Sequence, residues 1–357
     1  MKIPLRSGRE IEDDSDEDEV IPFKYSITSY GADFPVDGLV KRISEGDIEI
    51  PSFQRSYVWK LKQASRFIES LLLGLPVPGI FFSKEQGTQK LLVIDGQQRL
   101  RTLQYFYSGA YEPTGKIFAL RGVQSKFNGQ TYKQLKEEDR RRLQDSIIHA
   151  TIVKQEEPSE DDSSIYYIFE RLNTGGTLLQ PQEIRAAIYH GPFNDLLKRL
   201  NKNKSWRLIY GGISNRMRDQ ELILRFFSLL YHADKYKKPM KEFLNKYMGK
   251  NRHLTSQPET ELNEAFEGTI ELLYSTVGRK AFKPRKALNA AVFDAVMVGI
   301  ARRLAKGKIK KIEAVKEHYE SLLENEKFMS ACETGTAGEE NVSRRINLST
   351  RAFSLVR

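Results

Sequence analysis

Lys90-Leu91-Leu92-Val93-Ile94-Asp95-Gly96-Gln97-Gln98-Arg99-Leu100 is the stretch on which the reading of this chain turns. Lys90 to Ile94 form a short apolar run with β-branched members, the pattern of a buried strand. Leu100, Leu103, Phe106 and Tyr107 then recur at helical spacing. A carboxylate thus stands at a strand's end, a glycine makes the turn, and two amides and a guanidinium ride the first helical turn. Free backbone N–H groups and the positive end of the helix dipole meet there, which favours an anion. Arg99 adds a planar fork for phosphate oxygens, and Asp95 is a candidate ligand for hydrated Mg²⁺. The corner is therefore expected to be a nucleotide phosphate site. The same five polar and glycine residues also suit a plain strand–turn–helix junction whose side chains only cap the helix.

Working outward, Val36 to Ser44 predicts a short amphipathic helix and Ile48 to Ile50 a brief strand. Pro51 to Trp59 is dense in Gln, Arg and aromatic residues. It reads either as an aromatic staple for the next helix or as a second wall of the pocket, with Arg55 on phosphates and Tyr57 or Trp59 near a base. Trp59 is expected to pack. Arg55 is expected to act, because this loop supplies no carboxylate to pair it. Lys62 to Leu73 predicts a helix capped by Gly74. Gly79 to Ser83 and Lys90 to Ile94 predict two strands of a hairpin.

A charged helix is expected over Tyr132 to Asp145, a β-rich run over Ile147 to Val153, and an acidic link over Glu156 to Asp162. From Ser163 onward the pattern is helical nearly to the end. A Gly175-Gly176 turn within Arg171 to Thr177 precedes a helix beginning near Pro181. That turn suits anion binding and helix capping equally.

The chain has 357 residues, 39% of them hydrophobic and 29% charged, which marks a soluble globular protein large enough for two cores. No segment has the apolar length of a membrane span, and no apolar signal core opens the chain, so a cytoplasmic protein is expected. In residues 1–20, three cations stand against eight carboxylates, a balance of −5; the net charge of +10 therefore leaves +15 on the remainder. The acidic stretch is expected to be a disordered tail. The basic excess lies in clusters at Arg140 to Arg142, Lys235 to Lys238, Lys306 to Lys311 and Arg344-Arg345. Gathered on one side they would suit nucleic acid; singly, each describes a solvated helix face.

Several chemistries have no residues to carry them. The five histidines lack metal-ligand spacing, and neither a P-loop nor a serine elbow occurs. Cys332 is the one cysteine, which excludes an internal disulfide.

Three motifs in order, Phe53-Gln54-Arg55 with Tyr57-Val58-Trp59, Ile94 to Leu100, and Arg171 to Thr177, resemble the N-terminal domain of the GmrSD restriction endonucleases. The resemblance covers roughly residues 35–230. It implies an α+β fold, with a ParB- and sulfiredoxin-like α/β nucleotide-binding domain over 21–158 and a mainly helical domain over 159–357. It further implies binding and hydrolysis of a nucleoside triphosphate with Mg²⁺. Asp95, Gln97, Gln98 and Arg99 would be catalytic, and Asp95 would hold the metal. Gln54, Arg55, Tyr57, Gly96, Thr102, Asn173, Gly175 and Gly176 would bind the nucleotide. The implied role is a regulatory subunit of a modification-dependent restriction or anti-phage system. DNA and an HNH-type nuclease supplied in trans are its implied partners, a homo-oligomer is compatible, and no membrane is involved. A nucleotide-switched DNA clamp of ParB-like type without hydrolysis is the alternative. No His-Asn-His set is seen in this sequence, and sulfiredoxin chemistry is excluded because Cys332 lies far along the chain.

Overall fold

A computed structural model describes residues 11–12, 26–50, 57–85, 87–157, 163–172 and 179–356. The chain divides into two units, one spanning 23–179 and the other 180–357 together with 1–22.

In chain order, strand β1 (Ile11–Glu12) is followed by β2 (Ser26–Pro35), α1 (Val36–Glu45), β3 (Ile48–Glu49) and α2 (Leu61–Leu72). Then come β4 (Ile80–Lys84), β5 (Leu91–Asp95), α3 (Gln97–Ser108), the small ribbon β6 (Ala110–Tyr111) and β7 (Lys116–Ile117), α4 (Glu137–Asp145), β8 (Ile147–Glu157) and α5 (Ser163–Leu172). The first unit is built on a five-stranded mixed sheet of order β2-β8-β4-β5-β3. β4 and β5 form the expected antiparallel hairpin, β8 runs parallel to β4, and β2 closes the edge antiparallel to β8. Val36 and Leu39 of α1, Phe67, Ile68 and Leu71 of α2, and Leu100, Leu103 and Phe106 of α3 pack on Ile80, Phe82, Leu91, Val93, Ile148 and Ala150. Leu92, Ile94 and Val153, at the alternate strand positions, are buried outside this cluster, and α5 packs against β5 and β8. That contact carries α5 into the first unit, so the division falls at 179/180 rather than at the expected 158/159.

Three local expectations are corrected. Residues 132–145 are not one helix: Thr131 and Gln134 close a capping box around a 3-10 turn, Tyr132–Gln134, and α4 starts afresh at Glu137. Glu137, Glu138 and Asp139 hold that second start, placing carboxylates at the positive end of the dipole. β8 continues to Glu157, into the expected acidic link, because β2 pairs with it along its length. Within the tail expected to be wholly disordered, Ile11 and Glu12 pair in parallel with Leu288 and Asn289, which satisfies backbone groups that a free tail would leave to water.

The second unit continues with α6 (Pro181–Ile188), α7 (Pro192–Leu200), α8 (Lys204–Tyr210), α9 (Arg218–His232), α10 (Met240–Asn251) and α11 (Glu259–Thr276). It ends with β9 (Leu288–Asn289), α12 (Ala290–Leu304), α13 (Glu313–Glu324), α14 (Glu326–Glu333) and α15 (Glu339–Ser354). α12 is the axle: every residue from Ala290 to Ala301 is buried, and α9, α11, α14 and α15 pack around it. At Gly299 a Cβ would lie 2.3 Å from Ser349 Oγ, so the approach of α12 to α15 requires glycine. Asp294 of α12 is fully buried. It accepts from Arg225 Nε (3.1 Å) and Nη2 (2.7 Å) of α9 and from Arg345 Nη2 (3.2 Å) of α15. Fully buried Arg345 also donates to the carbonyl of Thr336 at 2.5 Å. None of the described helices is long and apolar enough to cross a membrane.

Replacing Asp294 by alanine strands two buried guanidinium groups, so we expect a loss of about 3–5 kcal/mol of unfolding free energy in urea titrations. An unchanged urea midpoint would show that the three side chains do not hold the helices together. Burial pushes the Cys332 thiol up to about 12, so a maleimide should label it in urea and not in native buffer.

Candidate functional site

The corner between β5 and α3 is built by Gly96. Its φ of +103° lies where side chains are strained, and a Cβ there would meet Ile80 Cγ1 at 2.9 Å. Chain direction therefore reverses within one residue, and α3 begins at Gln97 with no side chain capping its N-terminus. The first-turn N–H groups remain donors for an anion.

Asp95 and Arg99 stand one helical turn apart and pair directly. Arg99 Nη2 donates to Asp95 Oδ2 at 2.7 Å and to the carbonyl of Gly79 at 2.9 Å. The Asp95 side chain is 47% exposed and that of Arg99 only 14%. The carboxylate is thus held at the mouth of the corner by a guanidinium lying beneath it. Two buried donors have no acceptor among the described residues: Arg99 Nε and Nε2 of Gln97, a residue only 8% exposed. An unpaired buried donor is costly, and two of them beside an uncapped helix start suit an anionic guest. This donor set also fits Mg²⁺ carried by a phosphate ligand, since one half-exposed carboxylate is enough when phosphate oxygens and water complete the shell. Among the described residues no cluster of three or more His, Cys, Asp or Glu could hold a metal on its own.

Gln98, Thr102 and Tyr57 do a different job. Gln98 Oε1 accepts from the backbone N–H of Val58 (2.9 Å) and of Trp59 (3.3 Å). Thr102 Oγ1 donates its one proton to the Gln98 carbonyl at 2.7 Å, so the Tyr57 hydroxyl, 2.7 Å away, donates to Thr102. The Tyr57 ring packs edge-on against Tyr105 and Tyr111, at 5.1 and 5.9 Å between centroids. Burial raises its phenol well above the ordinary range, so it stays protonated. The Tyr111 hydroxyl donates to the Trp59 carbonyl, and Trp59 packs on Phe67 as expected. These polar contacts clasp residues 57–59 against α3.

Of the residues expected to form the site, Asp95, Gly96, Gln97, Gln98, Arg99, Thr102 and Tyr57 therefore come together around one corner. Gln54, Arg55, Asn173, Gly175 and Gly176 lie outside the described residues. Sequence reasoning missed Gly79, whose carbonyl anchors Arg99 and whose lack of a side chain lets the backbone of β8 approach: a Cβ there would lie 3.0 Å from the His149 carbonyl. It also passed over His149, which pairs with Asp33 across β2 and β8 through Nδ1 at 2.8 Å. A lone histidine in a strand carries no spacing signal.

If Gln98 acts as a clasp, Gln98→Ala should cost about 1–2 kcal/mol in urea denaturation, whereas Gln98→Glu, which keeps an acceptor, should cost less. Wild-type stability in the alanine variant would leave residues 57–59 held by the Tyr57–Thr102 and Tyr111–Trp59 contacts without help from Gln98.

Residues 36–190 match the family described as GmrSD restriction endonuclease, N-terminal domain. No curated protein matches the chain. The matched segment takes in the sheet from α1 onward, the glycine corner with Asp95 and Arg99, and helix α6. With this corner at its centre, residues 36–190 belong to the GmrSD restriction endonuclease N-terminal domain family.

Proposed function

We propose that the protein is a nucleoside-triphosphate-binding and hydrolysing regulatory subunit of a modification-dependent restriction system, acting on DNA with a partner nuclease. The family match supports a role in restriction or defence. The observation that carries the nucleotide reading is the uncapped start of α3, with the half-exposed Asp95 carboxylate and two buried, acceptor-less donors beside it.

In this reading the α3 N–H groups and the guanidinium of Arg99 neutralise phosphate oxygens as charge develops on them. Asp95, oriented by Arg99 and by nothing bulkier than Gly96, holds the attacking water or a cation's hydration shell. Asp95 would hold Mg²⁺ together with the phosphates, and the ion would supply positive charge against the phosphate charge. Gln98 keeps the loop of Tyr57 in place, and Gln97 is the amide left to contact the phosphate side.

One feature favours a second reading, a nucleotide-switched DNA clamp without hydrolysis. Arg99 is already paired with Asp95, and the Gln98 carbonyl oxygen is already occupied, so the corner holds fewer free groups for chemistry than for binding.

A thermal-shift screen of the four nucleoside triphosphates with Mg²⁺ is the first test. A ligand at a hundred times its Kd adds about 2.7 kcal/mol, and no shift with any of the four would remove the nucleotide from both readings. Phosphate release then separates them. Asp95→Asn keeps an acceptor for Arg99, so the fold should hold while turnover falls by about two orders of magnitude or more. Turnover at the wild-type rate in that variant would take Asp95 out of the mechanism, and absence of turnover in the wild type, with or without DNA, would favour the clamp.

A further inference from the structure

Part of the basic charge that stands out in the sequence is committed within the fold, while Lys306, Lys308, Lys310 and Lys311 stay exposed without a carboxylate partner among the described residues. Arg141 and Arg142 pair with Glu137 and Glu138, Lys237 pairs with Glu339, and Arg344 pairs with Glu340. Arg345 is buried on Asp294. A different concentration of charge forms where two segments meet in the helical unit.

Residues 202–218 contain Lys202, Lys204, Arg207, Arg216 and Arg218, and residues 279–286 contain Arg279, Lys280, Lys283, Arg285 and Lys286; neither segment contains a single carboxylate. The 3-10 turn Gly278–Lys280 packs against α8. Lys283 Nζ fastens the two segments by donating to the carbonyls of Ile209 and Arg279. Arg207, Arg216 and Arg285 are engaged by Asp219, Glu183 and Glu333. The other six cations, Lys202, Lys204, Arg218, Arg279, Lys280 and Lys286, are exposed and have no carboxylate partner among the described residues. The loop between α8 and α9 is held by the Ser214 N–H on buried Asp219 Oδ2 at 3.0 Å. At its outer end Ile213, following Gly211-Gly212, is 63% exposed.

We propose that this face of the helical unit, made by residues 202–218 and 279–286, binds the phosphate backbone of duplex DNA, with Ile213 entering a groove. The proposal rests on the reading that the protein acts on DNA and is indifferent to whether nucleotide is hydrolysed. A monoanion needs one or two cations, whereas six unpaired ones spread over two segments match a repeating phosphate array. An apolar side chain projecting from a fixed loop among cations suits contact with base edges or insertion at a base step.

The test measures binding of a fluorescein-labelled DNA duplex to the full chain by anisotropy over a range of salt concentrations. Reversing Lys204, Lys280 and Lys286 together to glutamate should weaken binding by about tenfold or more and flatten the salt dependence by about two to three contacts. Reversing Lys306, Lys308 and Lys310, which changes net charge equally, should leave affinity within about twofold of the wild type. Ile213→Ser should weaken binding without altering the salt slope. Equal losses in the two triple variants, or none in the first, would overturn this surface while leaving DNA as a partner. No duplex binding by the wild type at low salt would overturn both the surface and the reading beneath it, and tighter binding of anionic vesicles or single-stranded RNA than of duplex would replace the ligand.

Discussion

A single nitrogen, Arg99 Nη2, ties the start of β4 to the end of β5 by donating at once to the Gly79 carbonyl and the Asp95 carboxylate. The Coulombic worth of that pair is small, because Asp95 is half exposed and water screens it. Its consequence is geometric. The carboxylate is fixed where the sheet ends and the helix begins, and Gly96 allows the chain to turn there only because it has no side chain to meet Ile80. A corner assembled from glycine backbone and one shared donor leaves the first-turn N–H groups of α3 uncovered. The carboxylate and the positive end of the helix dipole are thereby held in register by the fold itself.

Neighbouring residues of the corner divide the labour by the direction in which they point. Asp95 looks outward; Gln98, three positions on, is turned onto the backbone of Val58 and Trp59. Thr102 continues the same line, receiving Tyr57 and donating back to the helix. This chain of hydrogen bonds fixes residues 57–59 to the helix that begins at the glycine corner. Movement of that loop would therefore be felt at the second turn of α3, the kind of coupling that a nucleotide-dependent regulator needs.

The helical unit spends charge in two ways. Asp294 between Arg225 and Arg345 is a desolvated network, with Arg345 also donating to the Thr336 carbonyl, and it joins α9, α12 and α15 at the centre. Such a network is costly to bury and more costly to break, so it specifies one arrangement of the helices. Six cations on segments 202–218 and 279–286, Lys202, Lys204, Arg218, Arg279, Lys280 and Lys286, lie at the surface instead, without carboxylate partners among the described residues, and create a field rather than a bond.

Much of the first unit was legible in the order of residues. Short apolar runs marked β4 and β5, period 3.6 marked α1, α2 and α3, and the Asp-Gly step marked the turn between strand and helix, because these features depend on neighbours within a few positions. β2 was not legible: Ile27 and Tyr30 are exposed, so the strand has no strongly buried face, and it exists because β8, more than a hundred residues later, supplies its hydrogen bonds. α8 and α14 were likewise set by the caps Asn203 and Asn325, and α15 by packing on α12, rather than by a strong stripe. The sequence by itself determined that an acid, a glycine and an arginine would share one corner, since i and i+4 on a strand-to-helix turn must be neighbours. Only the tertiary structure decided that Arg99 would be pinned by Gly79, that Gln98 would serve the loop, and which basic residues would be left unpaired, because partners distant along the chain become neighbours only after the sheet and the helices have packed.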